Sequence, residues 1–317
     1  MIDPNNRVGG PYLIVTAKTA NTVQFFDAAT LALTSEIAMP ASTHEMVLSA
    51  DGRKAFASVY GGGIFGKNSN PDRRIAVIDL ASRSLDRMID VGGDLAPHGV
   101  MMDGDTLWAT AELGNAVLAI DPGSDHIERI DIGGRPHWLA VSHASGKVFA
   151  ACKTRDFIVV IDAASRKPVG RVGIPNLAES LSVTPDGETL FVCAHAKGEI
   201  YAIDTRTDAL RATISIEGAP GTLNQLRRVR VSPDGRYVCV SSLLDCHVAI
   251  YEAESLKQIG ALKTHKAPMG FGFAADDKHA LVCCHDDAVL TEFELSTGRH
   301  TRDVKTASGC EFVIAYN

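Results

Sequence analysis

The sequence predicts an all-β fold, a seven-bladed β-propeller of four-stranded blades, and three observations carry that prediction. One short passage recurs seven times at a spacing of roughly 40–45 residues, the length of a propeller blade. The segments between the copies are short, alternating and β-branched, and they end in Pro-Asp-Gly or Asp-Gly turns of hairpin type. No segment holds a sustained 3.6-residue apolar stripe, so helices are not expected.

Taken in order, the stretch Pro11 to Pro40 supplies three strands and lacks an inner one. Six units then open at His44, His98, His137, Glu179, Arg227 and Met269. Each has an inner strand, a second apolar strand, a third ending in Ile-Asp or its equivalent, and a fourth. The clearest inner strands are HEMVLSADG from His44, ESLSVTPDG from Glu179 and RRVRVSPDG from Arg227. The last segment, Cys310 to Tyr316, is an inner strand with nothing after it. It completes the blade begun at Pro11, so the C-terminal strand closes the ring and leaves no open sheet edge. The whole of 1–317 is expected to form one propeller domain, because radial repetition lets a single domain use a chain of this length.

The net charge of −7, the pI near 5.9 and the lack of long Lys/Arg runs argue against nucleic acid or an anionic membrane surface as partner. No apolar run approaches the ~20 residues of a spanning helix, and the first residues lack a signal core. The seven cysteines lie mostly inside strand patterns (Cys152, Cys193, Cys239, Cys283) and show no C-x-x-C spacing. They read as small buried hydrophobes, and the expected home is cytoplasmic.

The first residue of each inner strand forms a column: His44, His98, His137, Glu179, Arg227, Met269 and Cys310. The ends of the second strands form another: Lys18, Tyr60, Glu112, Lys153, His195, Leu243 and His285. In a propeller both columns reach the same face. Imidazoles and carboxylates converging there make a metal site or a general acid–base pair. His98, His137, Glu112 and Arg227 are the candidate catalytic groups, with His44, Glu179 and His195 the candidate ligands of a divalent metal. Lys18, Tyr60, Lys153 and His285 are candidates for contacting a small-molecule substrate. A bland alternative is that polar side chains simply line a wet channel. His126, His143, His265, His279 and His300 fall in outer turns or strands, and His247 reads as structural.

Two expansions belong to the same face. Gly61 to Arg73 lengthens the loop between second and third strands, and Glu217 to Leu226 lengthens the entry to Arg227. Extra Gly-rich length over a pocket suits a lid or a substrate-contacting loop. No Lys-Ser/Thr follows the glycines, so this is not a phosphate loop.

The Ser-Pro-Asp-Gly turns, Val-Ile-Asp strand ends and Pro-His-Gly entries resemble the YVTN-type, lactonase-like seven-bladed propellers over essentially the whole chain. That group implies the fold and spans several functions. A local stretch, Pro97-His98-Gly99 through Trp108 to Glu112, resembles the virginiamycin B lyase family. That resemblance implies Mg²⁺-assisted elimination, with His137 of Arg135-Pro136-His137 as the second histidine. The family's acidic residue before Pro-His-Gly is Ala96 here.

These features favour an enzyme that opens a lactone or ester, with imidazoles moving protons and Arg227 orienting a carboxylate or an oxyanion. Elimination at the same site is the alternative chemistry, and a non-enzymatic scaffold or ligand carrier a further one. A Gly-x-Ser-x-Gly nucleophile elbow and a C-x-x-C-H haem attachment are both lacking, which disfavours serine hydrolase and c-type haem chemistry.

Overall fold

The computed structural model describes residues 10–317 except 176, 196–197, 217–225 and 275. Among the described residues there are no helices, and the strands form seven four-stranded antiparallel sheets. The expected expansion at 217–226 lies, but for Leu226, outside the described residues.

Each sheet is one blade of the ring. Blade 1 places the closing strand Cys310–Tyr316 beside Tyr12–Ala17, with Tyr12 opposite Tyr316 and Leu13 opposite Ala315. Blades 2 to 7 follow in chain order, their inner strands being Thr43–Leu48, Pro97–Asp103, Pro136–Ser142, Ala178–Val183, Leu226–Val231 and Pro268–Phe273. Inner and second strands are buried almost throughout, while fourth strands such as Leu33–Ala38 alternate between exposed and half-buried. A strand buried on both faces is what a blade packed between two others requires.

The apolar core therefore lies between blades. Trp108 of blade 3 packs with Leu139 and Val141 of blade 4. At the closure, Leu13 and Val15 share a cluster with Leu281 and Cys283 of blade 7 and with Val313 of the closing strand. All seven cysteines are free, and six are buried.

The turns between third and fourth strands repeat one device. Asp27, Asp79, Asp121, Asp162 and Asp204 each end a third strand and accept hydrogen bonds from the turn that follows, including the N–H or hydroxyl of Thr30, Ser82, Ser124, Ser165 and Thr207. Those bonds favour the ionised form and hold all five carboxyls below their ordinary value of 3.8.

Two outcomes follow. The depressed carboxyls stabilise the fold fully above the unfolded value, and that stability is lost as pH falls through the lower folded values. Calorimetry should find the melting temperature dropping below about pH 4, and replacing all five with Asn should flatten that slope; an unchanged slope would remove the turns from the acid response. Deleting Cys310 onward should expose a sheet edge and a blade core, giving aggregation or a non-cooperative melt. A truncated chain that melts like the intact one would refute closure by this strand.

Candidate active site at the channel mouth

A β-bulge near the start of every inner strand builds the first column. In blade 4, Pro136 pairs with Cys152 and Leu139 with Ala150, so His137 and Trp138 together oppose one residue. Blades 2 and 3 repeat this at His44-Glu45 and His98-Gly99. In blades 5, 6 and 1 the extra residues are Glu179, Arg227 and Glu311. A bulge re-aims side chains that a regular strand would send to opposite faces. Cys310, the expected seventh member of the column, instead pairs with Ala17, and Glu311 takes its place.

Hydroxyls on the second strands fix the column from behind. Thr16 donates to the carbonyl of His44 (3.0 Å), Ser58 to that of His98 (2.6 Å) and Thr110 to that of His137 (2.8 Å). Each bond crosses from one blade to the next. Gly99 leaves room for the last of these approaches, since a Cβ there would lie 3.0 Å from the carbonyl oxygen of His137.

His44, His98, His137, Glu179, His195, Arg227, Lys18 and Lys153 all line one cavity of ≈ 260 Å³, together with Arg228 and Glu311. Its imidazoles stack in sequence, with ring centroids 4.7 Å apart for His44–His98 and 3.9 Å for His98–His137. Glu179 is the hub of the far side. Its Oε1 accepts from Arg227 Nη1 (3.0 Å) and lies 3.3 Å from His137 Nε2. Its Oε2 pairs with the Lys153 ammonium and lies 3.8 Å from His195 Nδ1. Beneath them Arg228 is fully buried. Its guanidinium reaches Glu45 (2.6 Å), Glu311 (3.5 Å) and Glu179 (3.9 Å) and lies 4.5 Å from the ring centre of Trp138.

Burial dominates the ionisation of these groups. It holds the His44 and His98 imidazoles well below their ordinary value, and it brings His137 to about 3 with help from Lys153 and against the pull of Glu179. All three are neutral at neutral pH. Burial also lowers Lys18 and Lys153 and pushes the Glu45 carboxyl up to about 8 despite Arg228. For Glu179 burial works upward, but Lys153, His137 and Arg227 together carry it well below the carboxylate range.

Three expected site residues sit elsewhere. Glu112 is fully buried behind the cavity, where it accepts from the Tyr60 hydroxyl and from the Gly66 N–H (3.1 Å). Tyr60 is buried too, its ring 4.6 Å from that of His44. His285 stands at the rim, 3.8 Å from Glu311 and 2.9 Å from Asp286. The ligand group expected from His44, Glu179 and His195 is also divided: Glu179 and His195 belong to the cationic side. Beside His44 are instead Glu45 and His98, whose donor atoms and those of His44 all lie within 4.8 Å of one another and could hold a metal ion.

The Gly61–Arg73 expansion is a hairpin rather than a loop. The second strand runs to Ile64 and the third begins at Lys67, with Gly61 opposite Pro71 and Gly63 opposite Asn68. A Cβ at Gly61, where φ is 89°, would meet the Asn70 carbonyl oxygen at 2.2 Å, so glycine is required. The tip lays Phe65 against the cavity, 5.2 Å from the His137 ring and 4.9 Å from the Lys153 ammonium. Glu112 thus anchors the hairpin that covers the site.

The fold and site together define a seven-bladed β-propeller with a charge-rich pocket at one mouth of its channel. No family model matches the chain. It is similar to Antigen Lp49 of Leptospira interrogans serogroup Icterohaemorrhagiae serovar copenhageni (strain Fiocruz L1-130), 24% identical over 267 residues, which are 76% of this chain and 55% of that protein. The chain therefore spans about half the length of that curated relative. Among solved structures, it resembles a Bacteroides fragilis protein whose assignment as a 6-phosphogluconolactonase is itself provisional (TM-score 0.78, 18% identity, 95% and 96% of the two chains). It also resembles the hydrazine synthase of Kuenenia stuttgartiensis (TM-score 0.77, 18% identity, 92% and 94%). These likenesses establish the fold.

Two substitutions separate the roles assigned here. Arg228→Met leaves Glu45 and Glu311 buried without their cation and should cost about 3–5 kcal/mol of stability, read as a lowered denaturant midpoint. An unchanged midpoint would deny Arg228 its place. Glu112→Gln should raise hydrogen-exchange rates along 61–73 while sparing the inner strands; unaltered exchange at Gly66 would contradict the anchor.

Proposed function

We propose that the chain is a hydrolase that opens a lactone or ester of a small compound bearing a negative charge. The observation that carries this reading is the His137–Glu179 pair, buried beside Lys153 and Arg227 at the cavity wall. Glu179 holds one ring nitrogen of His137 and stabilises the imidazolium that forms when the attacking water gives up its proton. Lys153 and Arg227 offer donors to the oxyanion that develops on the carbonyl. An imidazole held near 3 takes a proton at neutral pH only when negative charge builds next to it. An anionic substrate and its oxyanion supply that charge by offsetting Lys153. The Phe65 ring of the hairpin packs against His137 and Lys153 and reduces their contact with solvent.

The lyase resemblance implies Mg²⁺, and the residues present do not fit it. Glu112 is occupied by Tyr60 and Gly66, and the nearest donor group offers two imidazoles and one carboxylate where Mg²⁺ takes oxygen ligands. The substrate is a small molecule rather than a macromolecule, in keeping with the cavity size. The seven free cysteines support a reducing, cytoplasmic setting.

A panel of anionic lactones and esters, assayed by proton release in ¹⁸O-labelled water, tests the reading. Turnover should incorporate solvent oxygen, and His137→Ala or Lys153→Met should lower kcat by about 10²–10⁴-fold under conditions where each variant remains folded. His126→Ala and His300→Ala, both on the exposed surface, should retain full activity. Turnover without ¹⁸O uptake would replace hydrolysis by elimination. Equal activity in all four variants would refute the site.

A further inference from the structure

The near side of the channel holds a set of buried polar atoms that the protein does not satisfy. His44, Glu45 and His98 are 5%, 1% and 2% exposed. Among the described residues no hydrogen bond reaches Nδ1 or Nε2 of His44, Nδ1 of His98, or Oε2 of Glu45. Glu311 Oε1 lies 3.9 Å from His44 Nδ1, beyond hydrogen-bond reach. Buried polar atoms are nearly always paired, and each orphan bears the full cost of leaving water. Here such atoms converge from two neighbouring blades.

We propose that His44, Glu45 and His98 bind one divalent first-row transition-metal ion, of the zinc, cobalt or manganese kind, at the floor of the cavity. The bulge in blade 2 makes the site possible, because it lets consecutive residues present donors on one side where a regular strand would not. Two imidazoles and one carboxylate are the donor set of such ions. Calcium and magnesium need shells made largely of oxygen. The surroundings hold the donors in place. Arg228 binds Glu45 Oε1 at 2.6 Å and leaves Oε2 free, which favours a single carboxylate ligand atom. The Tyr60 ring packs on His44, and Ser58 fixes the His98 carbonyl from behind. Lys18 and Arg228 are cations lining the same cavity, and Glu311, on the neighbouring blade, offsets them. The remaining positions around the ion open to the cavity, where water or a substrate oxygen completes the shell. The site does not depend on the hydrolytic reading, since binding is measured without any substrate.

The test uses the full chain, stripped with a chelator and titrated separately with Zn²⁺, Co²⁺, Mn²⁺, Mg²⁺ and Ca²⁺ by calorimetry. Co²⁺ absorption is followed in parallel. One ion per chain should bind, with Zn²⁺ or Co²⁺ tighter than Mg²⁺ or Ca²⁺ by at least about tenfold. His44→Ala, Glu45→Gln and His98→Ala should each weaken binding by about tenfold or more, and His126→Ala should leave it intact. Should a pocket variant fail to fold, the wild-type Co²⁺ form still decides, because two imidazole ligands must give hyperfine-shifted ring resonances. No stoichiometric binding would overturn the proposal and leave ordered water as the partner of these atoms. So would binding that survives all three pocket substitutions and is lost in His265→Ala, which would assign it to the surface group of His265, Asp287 and Asp303.

Discussion

The arrangement at the channel mouth depends on one buried cation. Arg228 has almost no exposure, and its charge is held by carboxylates from three other blades: Glu45 of blade 2, Glu311 of blade 1 and Glu179 of blade 5. Burial alone would oppose the charge, but those carboxylates more than compensate and keep its pKa raised. Such a network is weak evidence for net stability, because desolvation consumes most of the Coulomb gain. What it does provide is geometry. The guanidinium donates to Glu45 and Glu311 and stands 3.9 Å from Glu179, which is held directly by Arg227, Lys153 and His137.

The backbone supplies the other half of that geometry through a device used repeatedly. A bulge turns the column residue toward the channel, and a hydroxyl from the previous blade locks its carbonyl. Blades 2, 3 and 4 combine both with histidine. The stacked imidazoles are therefore three copies of one local solution, placed side by side by the ring. Blades 1, 5 and 6 keep the bulge and change the residue to Glu311, Glu179 and Arg227, so charge enters without altering the backbone.

The fold was legible because its determinants are local. Turn chemistry and alternation repeat in every unit, and the unpaired chain ends complete one blade. The inner column was legible from His44 to Met269 for the same reason. It failed at Cys310 because a bulge adds one residue without leaving a mark in the hydrophobic pattern, and Phe312 imitates Phe271 one position out of register. Arg228 and Glu45 were missed although they stand next to column members. Two opposite charges inside buried strands, 183 positions apart, reveal their pairing only once the ring brings blades 2 and 6 together. Glu112 was assigned to chemistry because it shares a column with Lys153 and His195. Its partners are Tyr60 and, on the Gly61–Arg73 hairpin, Gly66, and the fold of that hairpin back over the cavity is a property of tertiary packing.

A propeller tolerates such a costly centre because its stability is built elsewhere. Five of the six apolar clusters lie between two adjacent blades, and the largest also joins blade 4 to blade 1, with the Trp138 and Phe312 rings 6.3 Å apart. Unpaired donors at His44, His98 and Glu45, a cation buried at Arg228 and imidazoles kept neutral are all unfavourable by themselves. Gathered at one mouth, they draw on the stability of the interfaces between blades. The asymmetry then acquires a chemical meaning. Neutral imidazoles with free lone pairs collect on blades 2 and 3, and cations around one carboxylate collect on blades 4 to 6. A ligand spanning the cavity meets a surface suited to a metal ion at one end and a surface suited to an anion at the other.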